Sequence, residues 1–221
     1  MKDFGVNFVR LPLGYWNVVD MPYNPNGPAN EAARMGNLSH IMADSDSYKP
    51  YIDRVFSYAS KYGLQVMLDL HGAPGSQSGE SNAGCSFKYN DNDGEYYWDT
   101  DWNKEWTVNA VTALARICRD KGDACYGVEL LNEPAFPGAN TGIDRGHLLD
   151  FYQKAIKAAR DVGLPMRKPM VVMEWAPQWE ANWAGKWKSA FPEEYGEVYL
   201  DTHVYDFKDT VAEEEASWAA N

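Results

Sequence analysis

Basic residues and cysteines are scarce in this 221-residue sequence, and long apolar runs are absent. Lys and Arg total 20 against 32 Asp and Glu, so the formal net charge is −12. This charge disfavours nucleic acid, anionic membrane surfaces and highly anionic substrates as partners, because all of them attract basic patches. No apolar run approaches the roughly 20 residues of a membrane-spanning helix, and Met1–Gly5 forms no apolar signal segment. A neutral partner is therefore expected.

Three cysteines are too few for a disulfide-rich scaffold. Cys118 and Cys125 could bridge a short turn, but two unpaired packing residues would give the same spacing. Neither an H-E-x-x-H nor a C-x-x-C motif is present, so we expect no metal and no organic cofactor. The sequon Asn37–Ser39 is compatible with secretion.

Short apolar runs alternate with segments of helical periodicity along the sequence. Five such units predict a parallel sheet with right-handed crossovers. The first helix is predicted to end at Gly63, with Tyr51, Val55, Ala59 and Tyr62 as its apolar stripe. The predicted strands are residues 4–13, 64–70, 128–131, 170–173 and 198–203. The predicted helices lie around residues 47–62, 106–117, 148–162, 183–191 and 209–221.

The choice of α/β architecture depends on the ends of the strands. A nucleotide-binding open sheet should carry a G-x-G-x-x-G or P-loop turn after its first strand, and neither motif is present. Polar residues instead follow strand after strand, at the end where a (β/α)₈ barrel carries its chemistry. We therefore predict one α/β domain, residues 1–221, that forms part of a (β/α)₈ TIM barrel. These strand-end residues are Arg10, His71, Asn132, Glu133, Glu174 and His203.

Aromatic residues are abundant, with nine Trp, fourteen Tyr and eight Phe making up 14% of the chain. Core packing would account for them. A cleft in which sugars stack on flat rings, fixed by the polar groups of Tyr and Trp, would account for them equally.

The strongest local motif is Leu130–Pro134, in which an apolar strand leads directly into Asn132, Glu133 and a proline. A glycosidase needs a carboxylic acid that protonates the leaving oxygen, and Glu133 fits this role. Asn132 beside it could donate a hydrogen bond to the sugar 2-OH. The alternative is a plain turn in which Asn132 caps the backbone and Glu133 is solvated.

Leu130–Pro134 and three further blocks resemble glycoside hydrolase family 5, the cellulase family of retaining (β/α)₈ enzymes. Residues 69–77 with 82–84 are similar to the fungal exo-β-1,3-glucanase branch, as are residues 7–16 and 201–205. The order of the blocks implies that the chain covers about strands two to six of the barrel. A catalytic domain that lacks strand one and strands seven and eight is therefore expected.

The resemblance implies a retaining β-glycoside hydrolase in which Glu133 is the general acid/base. It places the nucleophile Glu at the end of strand seven, beyond residue 221, so the isolated chain is expected to be inactive. Met173–Ala176 superficially resembles the nucleophile block. Because that block falls one βα unit after Glu133 and precedes the H-x-Y block, we expect Glu174 to line the cleft or to be structural.

The resemblance also implies the supporting residues. Arg10 would brace a catalytic carboxylate and keep it ionised, although a structural ion pair would also explain it. His71 and His203 would bind sugar hydroxyls or hold the carboxylates, and Tyr205 would donate to the nucleophile or to the sugar. Further sugar contacts are expected from Asn82 and Gln77.

The resemblance has departures that bear on specificity. Glu80 and Lys208 stand near positions where the exo-glucanase branch carries Phe residues that clamp the acceptor sugar. The expected substrate is a β-glucan, cleaved as in a glucan exo-1,3-β-glucosidase, with an endo-β-glucanase or a non-catalytic glycan-binding protein as alternatives. The complete protein is expected to be a monomer, outside the cell or at its surface.

Overall fold

The computed structural model describes residues 4–22, 44–79, 83, 98–135, 143–173 and 183–203. Five parallel strands form one sheet, in which they are ordered as they occur along the chain. The strands are β1 (Phe8–Gly14), β2 (Gln65–Gly72), β3 (Cys125–Glu129), β4 (Met170–Met173) and β5 (Val198–Asp201). The helices are α1 (Lys49–Tyr62), α2 (Asp101–Lys121), α3 (Arg145–Asp161) and α4 (Trp183–Ala190).

The strand order distinguishes the two α/β architectures. A doubly wound open sheet reverses its strand order at a switch point, whereas consecutive strands of a (β/α)₈ barrel stay neighbours. The order β1-β2-β3-β4-β5 has no reversal, which confirms the prediction of a barrel section. β3 starts and ends a few residues earlier than predicted, and β1 starts later, at Phe8. The predicted helix over 209–221 lies outside the described residues.

The first helix differs from its predicted packing. Ile52, Phe56 and Ala59 form its buried face, whereas Tyr51 and Tyr62 are 65% and 57% exposed. Tyr51 and Tyr62 therefore lie on its outer side, whereas Ala59 of the predicted stripe is buried as expected. The helix ends as expected, because the next residue is a glycine with φ 64°, in the left-handed region that L side chains rarely adopt.

The core lies between the sheet and helices α1 to α3. Thr100 caps α2 by accepting a hydrogen bond from Asn103 N, and Asp144 caps α3 in the same way. None of the helices that the structure describes combines the length and the apolar character that crossing a membrane requires. The largest fully buried side chains include Trp98, Phe151, Tyr152, Leu68, Leu114 and Leu131.

A disulfide and two cations hold the amino-terminal ends of the strands. Cys118 in α2 is bonded to Cys125 at the start of β3, with Cα atoms 5.2 Å apart. This decides between the two alternatives that the spacing left open. Lys168 Nζ donates to the carbonyls of Gly122 and Cys125. Arg160 donates to the carbonyl of Lys168 at 3.0 Å. The starts of β3 and β4 are thus held together through main-chain acceptors.

Candidate active site

The register of the sheet places two acidic residues side by side. Asp69 in β2 is directly opposite Glu129 in β3, and Pro12 of β1 is opposite Asp69. Opposed residues in neighbouring strands share a face of the sheet, and Arg10, two residues before Pro12, shares it as well. Asp69 and Glu129 are both fully buried. The strands therefore bring two carboxylates and one guanidinium together near their carboxyl ends.

Arg10 pairs with both carboxylates. Its Nε donates to Glu129 Oε2 at 2.6 Å and its Nη2 to Glu129 Oε1 at 2.7 Å, a bidentate pair. Its Nη1 lies 3.0 Å from Asp69 Oδ2. Burial disfavours the charge of Arg10, but the hydrogen bond to Glu129 and the charges of Asp69 and Glu129 raise its pKa. Burial raises the pKa of Glu129, the Arg10 hydrogen bond opposes this rise, and the Asp69 charge adds to it.

Asn132 is held by both its side chain and its backbone. Arg10 Nη2 donates to Asn132 Oδ1 at 2.7 Å. Asn132 N donates to the carbonyl of Leu70 at 3.0 Å, and Gln77 Nε2 donates to the Asn132 carbonyl at 2.9 Å. Gln77 is itself fully buried, and it also bonds the backbone of His71 and Ala73. The expected sugar contact of Gln77 is therefore wrong, because its side-chain amide is buried and its hydrogen bonds join the loops after β2 and β3.

Glu133 directly follows Asn132 and has an unusual backbone conformation. Its φ is 40°, in the left-handed region that non-glycine residues enter at a cost of about 1–3 kcal/mol, and such residues cluster at functional sites. Its Oε1 lies 2.7 Å from His203 Nδ1, and its side chain is 13% exposed. Its backbone N–H faces Met173 Sδ at 3.2 Å. The carboxyl group is thus held beside the end of β5, with limited access to solvent.

The end of β2 carries a second histidine–carboxylate pair. His71 Nδ1 lies 2.7 Å from Asp69 Oδ2, the oxygen that also faces Arg10. The other oxygen, Asp69 Oδ1, is buried and has no hydrogen-bond partner within the part of the chain that the structure describes. The His71 side chain is 30% exposed, and its Nδ1 contact with Asp69 orients the ring.

Potential metal-ligating atoms of Glu129, Asp201 and His203 lie within 4.8 Å of one another. Both carboxylate oxygens of Glu129 already accept hydrogen bonds from Arg10. His203 Nδ1 faces Glu133. A cation here would lie against the guanidinium, so the donor set does not fit a metal ion.

The family model described as Cellulase (glycosyl hydrolase family 5) matches residues 1–221. The chain belongs to glycosyl hydrolase family 5. A glucan 1,3-beta-glucosidase of Blumeria graminis is 38% identical to it over 152 residues, which are 69% of this chain and 29% of the relative. A probable glucan 1,3-beta-glucosidase A of Aspergillus fumigatus is 33% identical over 158 residues, 72% of this chain and 31% of the relative.

Solved structures show the same fold. The rutinosidase from Aspergillus niger superposes with a TM-score of 0.62 at 16% identity, over 97% of this chain and 55% of that one. The family-5 chain described here therefore spans about half of that solved structure and about a third of its curated relatives.

The geometry of this family-5 chain brings together most of the predicted site residues. Arg10 contacts Asn132, and Glu133 contacts His203. Three predicted residues, Asn82, Tyr205 and Glu174, lie outside the described residues. Two buried acids, Asp69 and Glu129, were not predicted as site residues from the sequence. The sequence did carry a signal for them, because each acid lies within an apolar strand run, where a buried charge needs a partner.

Proposed function

We propose that this chain carries the acid/base part of the active site of a retaining β-glucan hydrolase, with Glu133 as proton donor. The observation that carries the proposal is the placement of Glu133, at the end of β3, 2.7 Å from His203 and adjacent to Asn132. The likeness to glucan 1,3-beta-glucosidases supports a β-1,3-glucan substrate and release of glucose from chain ends.

The proposed reaction has two steps. Glu133 donates its proton to the glycosidic oxygen while a second carboxylate attacks the anomeric carbon, so the sugar–oxygen bond breaks and a glycosyl-enzyme forms. Glu133, now ionised, then takes a proton from water, which attacks the same carbon and releases the sugar with retained configuration. The second carboxylate belongs about 5–5.5 Å from Glu133. By family resemblance, it follows β5 and lies outside the described residues.

The neighbouring groups have distinct roles in this proposal. His203 hydrogen-bonds the Glu133 carboxyl group and holds it toward the leaving oxygen. Asn132 donates to the sugar 2-OH, a hydrogen bond that strengthens in the transition state. His71, oriented by Asp69, meets a further sugar hydroxyl through Nε2.

The test compares two leaving groups in the full-length protein. Glu133→Gln should lower kcat/KM on laminaribiose by about 10²–10⁴-fold. It should affect the glycosylation step of dinitrophenyl β-glucoside far less, because this leaving group needs no protonation. Glu193→Gln, an exposed acid before β5, is the matched control and should leave both rates unchanged. Proton NMR of the first product should show the β-anomer.

Equal losses on both substrates would reject the acid role of Glu133. Binding of laminari-oligosaccharides without hydrolysis by the unmodified full-length protein would instead favour a non-catalytic glycan-binding protein. An α-anomer as first product would reject retention.

We also propose that the protein works outside the cell. The Cys118–Cys125 disulfide supports this location, because such bonds persist in oxidising compartments and are rare in the cytosol. Protein isolated from its native source without reductant should leave both cysteines unlabelled by a thiol reagent under denaturing conditions. Labelling of both would contradict an oxidising location.

A further inference from the structure

Arg10 contacts Asn132 and two buried acids, but only Asn132 has a proposed contact with substrate. We propose that Glu129 is a positioning residue that acts through Arg10 to turn the Asn132 amide, so that its NH₂ group faces the sugar 2-OH. This inference rests on the proposed function, since it concerns the same sugar-binding site.

Arg10 sets the direction of the Asn132 side-chain amide. A guanidinium group has five N–H donors and no acceptor, so only the carbonyl oxygen of Asn132 can face it. The distance from Arg10 Nη2 to Asn132 Oδ1 is 2.7 Å, which is a short charge-assisted hydrogen bond. Turning the amide over would place N–H against N–H. Arg10 therefore makes Asn132 a donor toward the cleft.

Glu129 holds the guanidinium group of Arg10 in place. Nη2 carries two hydrogens, and the structure assigns one to Glu129 Oε1 and the other to Asn132 Oδ1. Glu129 also takes the Nε hydrogen, which fixes the plane of the guanidinium group. Because Glu129 is fully buried, bulk water does not compete for these hydrogen bonds in the unmodified protein. Removing its charge would free Nη2 to move away from Asn132.

Asn132 retains little conformational freedom of its own. Its N–H is bonded to Leu70 and its carbonyl to Gln77, so the backbone is fixed on both sides. The remaining freedom is rotation of the side chain, which Arg10 controls. Loss of Glu129 should therefore harm recognition of the 2-OH in particular. Recognition of a sugar that has no 2-OH should hardly change when Glu129 is lost.

The experiment measures kcat/KM of the full-length protein on an aryl β-glucoside and on its 2-deoxy counterpart. Glu129→Gln keeps the size of the side chain and removes the bidentate carboxylate. The quantity compared is the ratio of kcat/KM on the glucoside to kcat/KM on the 2-deoxy compound. We expect Glu129→Gln to lower this ratio by about tenfold or more, which corresponds to at least about 1.4 kcal/mol. Asn132→Ala should lower the ratio similarly, and the double variant should lower it no further.

Arg10→Lys is the second variant, for the case in which Glu129→Gln does not fold. A lysine keeps the charge but cannot bridge Glu129 and Asn132 in one plane, so the ratio should fall again. Lys168→Met is the matched control, because it removes a buried cation at the opposite ends of the strands. It should leave the ratio unchanged. An unchanged ratio in a folded Glu129→Gln, or in Arg10→Lys where Glu129→Gln does not fold, would overturn the inference and leave Glu129 a purely structural partner.

A binding measurement separates this inference from the proposed function. Phenyl 1-thio-β-glucoside resists hydrolysis, so calorimetry can compare it with its 2-deoxy analogue whether or not the protein turns over substrate. A 2-OH preference in binding that falls in Glu129→Gln supports the inference even if hydrolysis is never seen. No 2-OH preference in the unmodified protein, or one that Glu129→Gln leaves unchanged, overturns it.

Discussion

The two ends of the strands bury cations in different ways. At the carboxyl ends, Arg10 pairs with the side chains of Glu129 and Asp69. At the amino ends, Lys168 and Arg160 donate mainly to main-chain carbonyls. A carbonyl is neutral and fixed in place, so it can only hold the backbone. A carboxylate carries charge that can act on a neighbour or a ligand, which suits the end where barrel enzymes carry their chemistry.

The pKa values of these three cations also differ between the two ends of the strands. Burial lowers the pKa of Lys168 and of Arg160, because carbonyl partners do not compensate for the loss of water. Burial also disfavours the charge of Arg10, yet its pKa is raised, since the Glu129 hydrogen bond and the charges of Glu129 and Asp69 outweigh burial. The charge of the partner therefore decides the direction in which the pKa of a buried cation shifts, more than its depth of burial does.

Removing the cation at the carboxyl ends should have the largest effect. Arg10→Met leaves Glu129 and Asp69 buried without their counter-ion, which should cost about 3–5 kcal/mol of unfolding free energy. Misplacement of Asn132 should lower kcat/KM by about 100-fold in the molecules that remain folded. Denaturant unfolding and active-site-normalised kinetics of the full-length protein measure the two effects. If stability falls and kcat/KM stays unchanged, Arg10 has only a structural role, as proposed for Lys168 and Arg160.

The disulfide should matter for stability alone. Replacing both Cys118 and Cys125 with Ala opens a short loop between α2 and β3, which should cost about 2–3 kcal/mol. Guanidinium unfolding of the full-length protein should show this loss, while kcat/KM per folded molecule should stay the same. A change in kcat/KM would mean that the two ends of β3 are coupled.

The sequence predicted the sheet well because alternation and strand-end chemistry are local signals. Glu133 and Asn132 stood out for that reason, directly after an apolar run. Asp69 and Glu129, the partners of Arg10, did not stand out in the sequence. Their pairing depends on the register between strands whose paired residues are 60 positions apart. The predicted stripe of α1 was wrong at Tyr51 and Tyr62 for another reason: periodicity identifies faces, but it does not tell which face the sheet covers.

Lys168→Met should destabilise the protein by about 1–2 kcal/mol, because the carbonyls of Gly122 and Cys125 lose their donor while a buried charge is relieved. The pKa of Lys168 is lowered, so between its folded value and the unfolded value of about 10.4 the unfolded chain binds more protons. Stability of the unmodified protein should therefore rise with pH across that window, relative to Lys168→Met. A lower kcat/KM would contradict a purely structural role.

The smallest effect is expected at Asp99, which pairs with Lys104 at 2.7 Å and with His147 at 2.8 Å near the starts of α2 and α3. This pairing joins side chains, as at Arg10, but His147 is 59% exposed, so water screens the pairing. Burial alone would raise the pKa of Asp99, and the hydrogen bonds from Lys104 and His147 hold it below its ordinary value.

Asp99→Asn should therefore cost less than about 1 kcal/mol at pH 7, measured by denaturant unfolding of the full-length protein. Because the folded pKa lies below the unfolded value of about 3.9, the contribution of Asp99 is complete above that pH. It is lost as the pH falls through the folded pKa, so the two proteins should become equally stable in strong acid. A constant difference at every pH would mean that Asp99 stabilises the helix starts by packing. A loss of kcat/KM as large as that of Arg10→Met would show that any ion pair at this end of the barrel affects catalysis, and the special position of Arg10 would be lost.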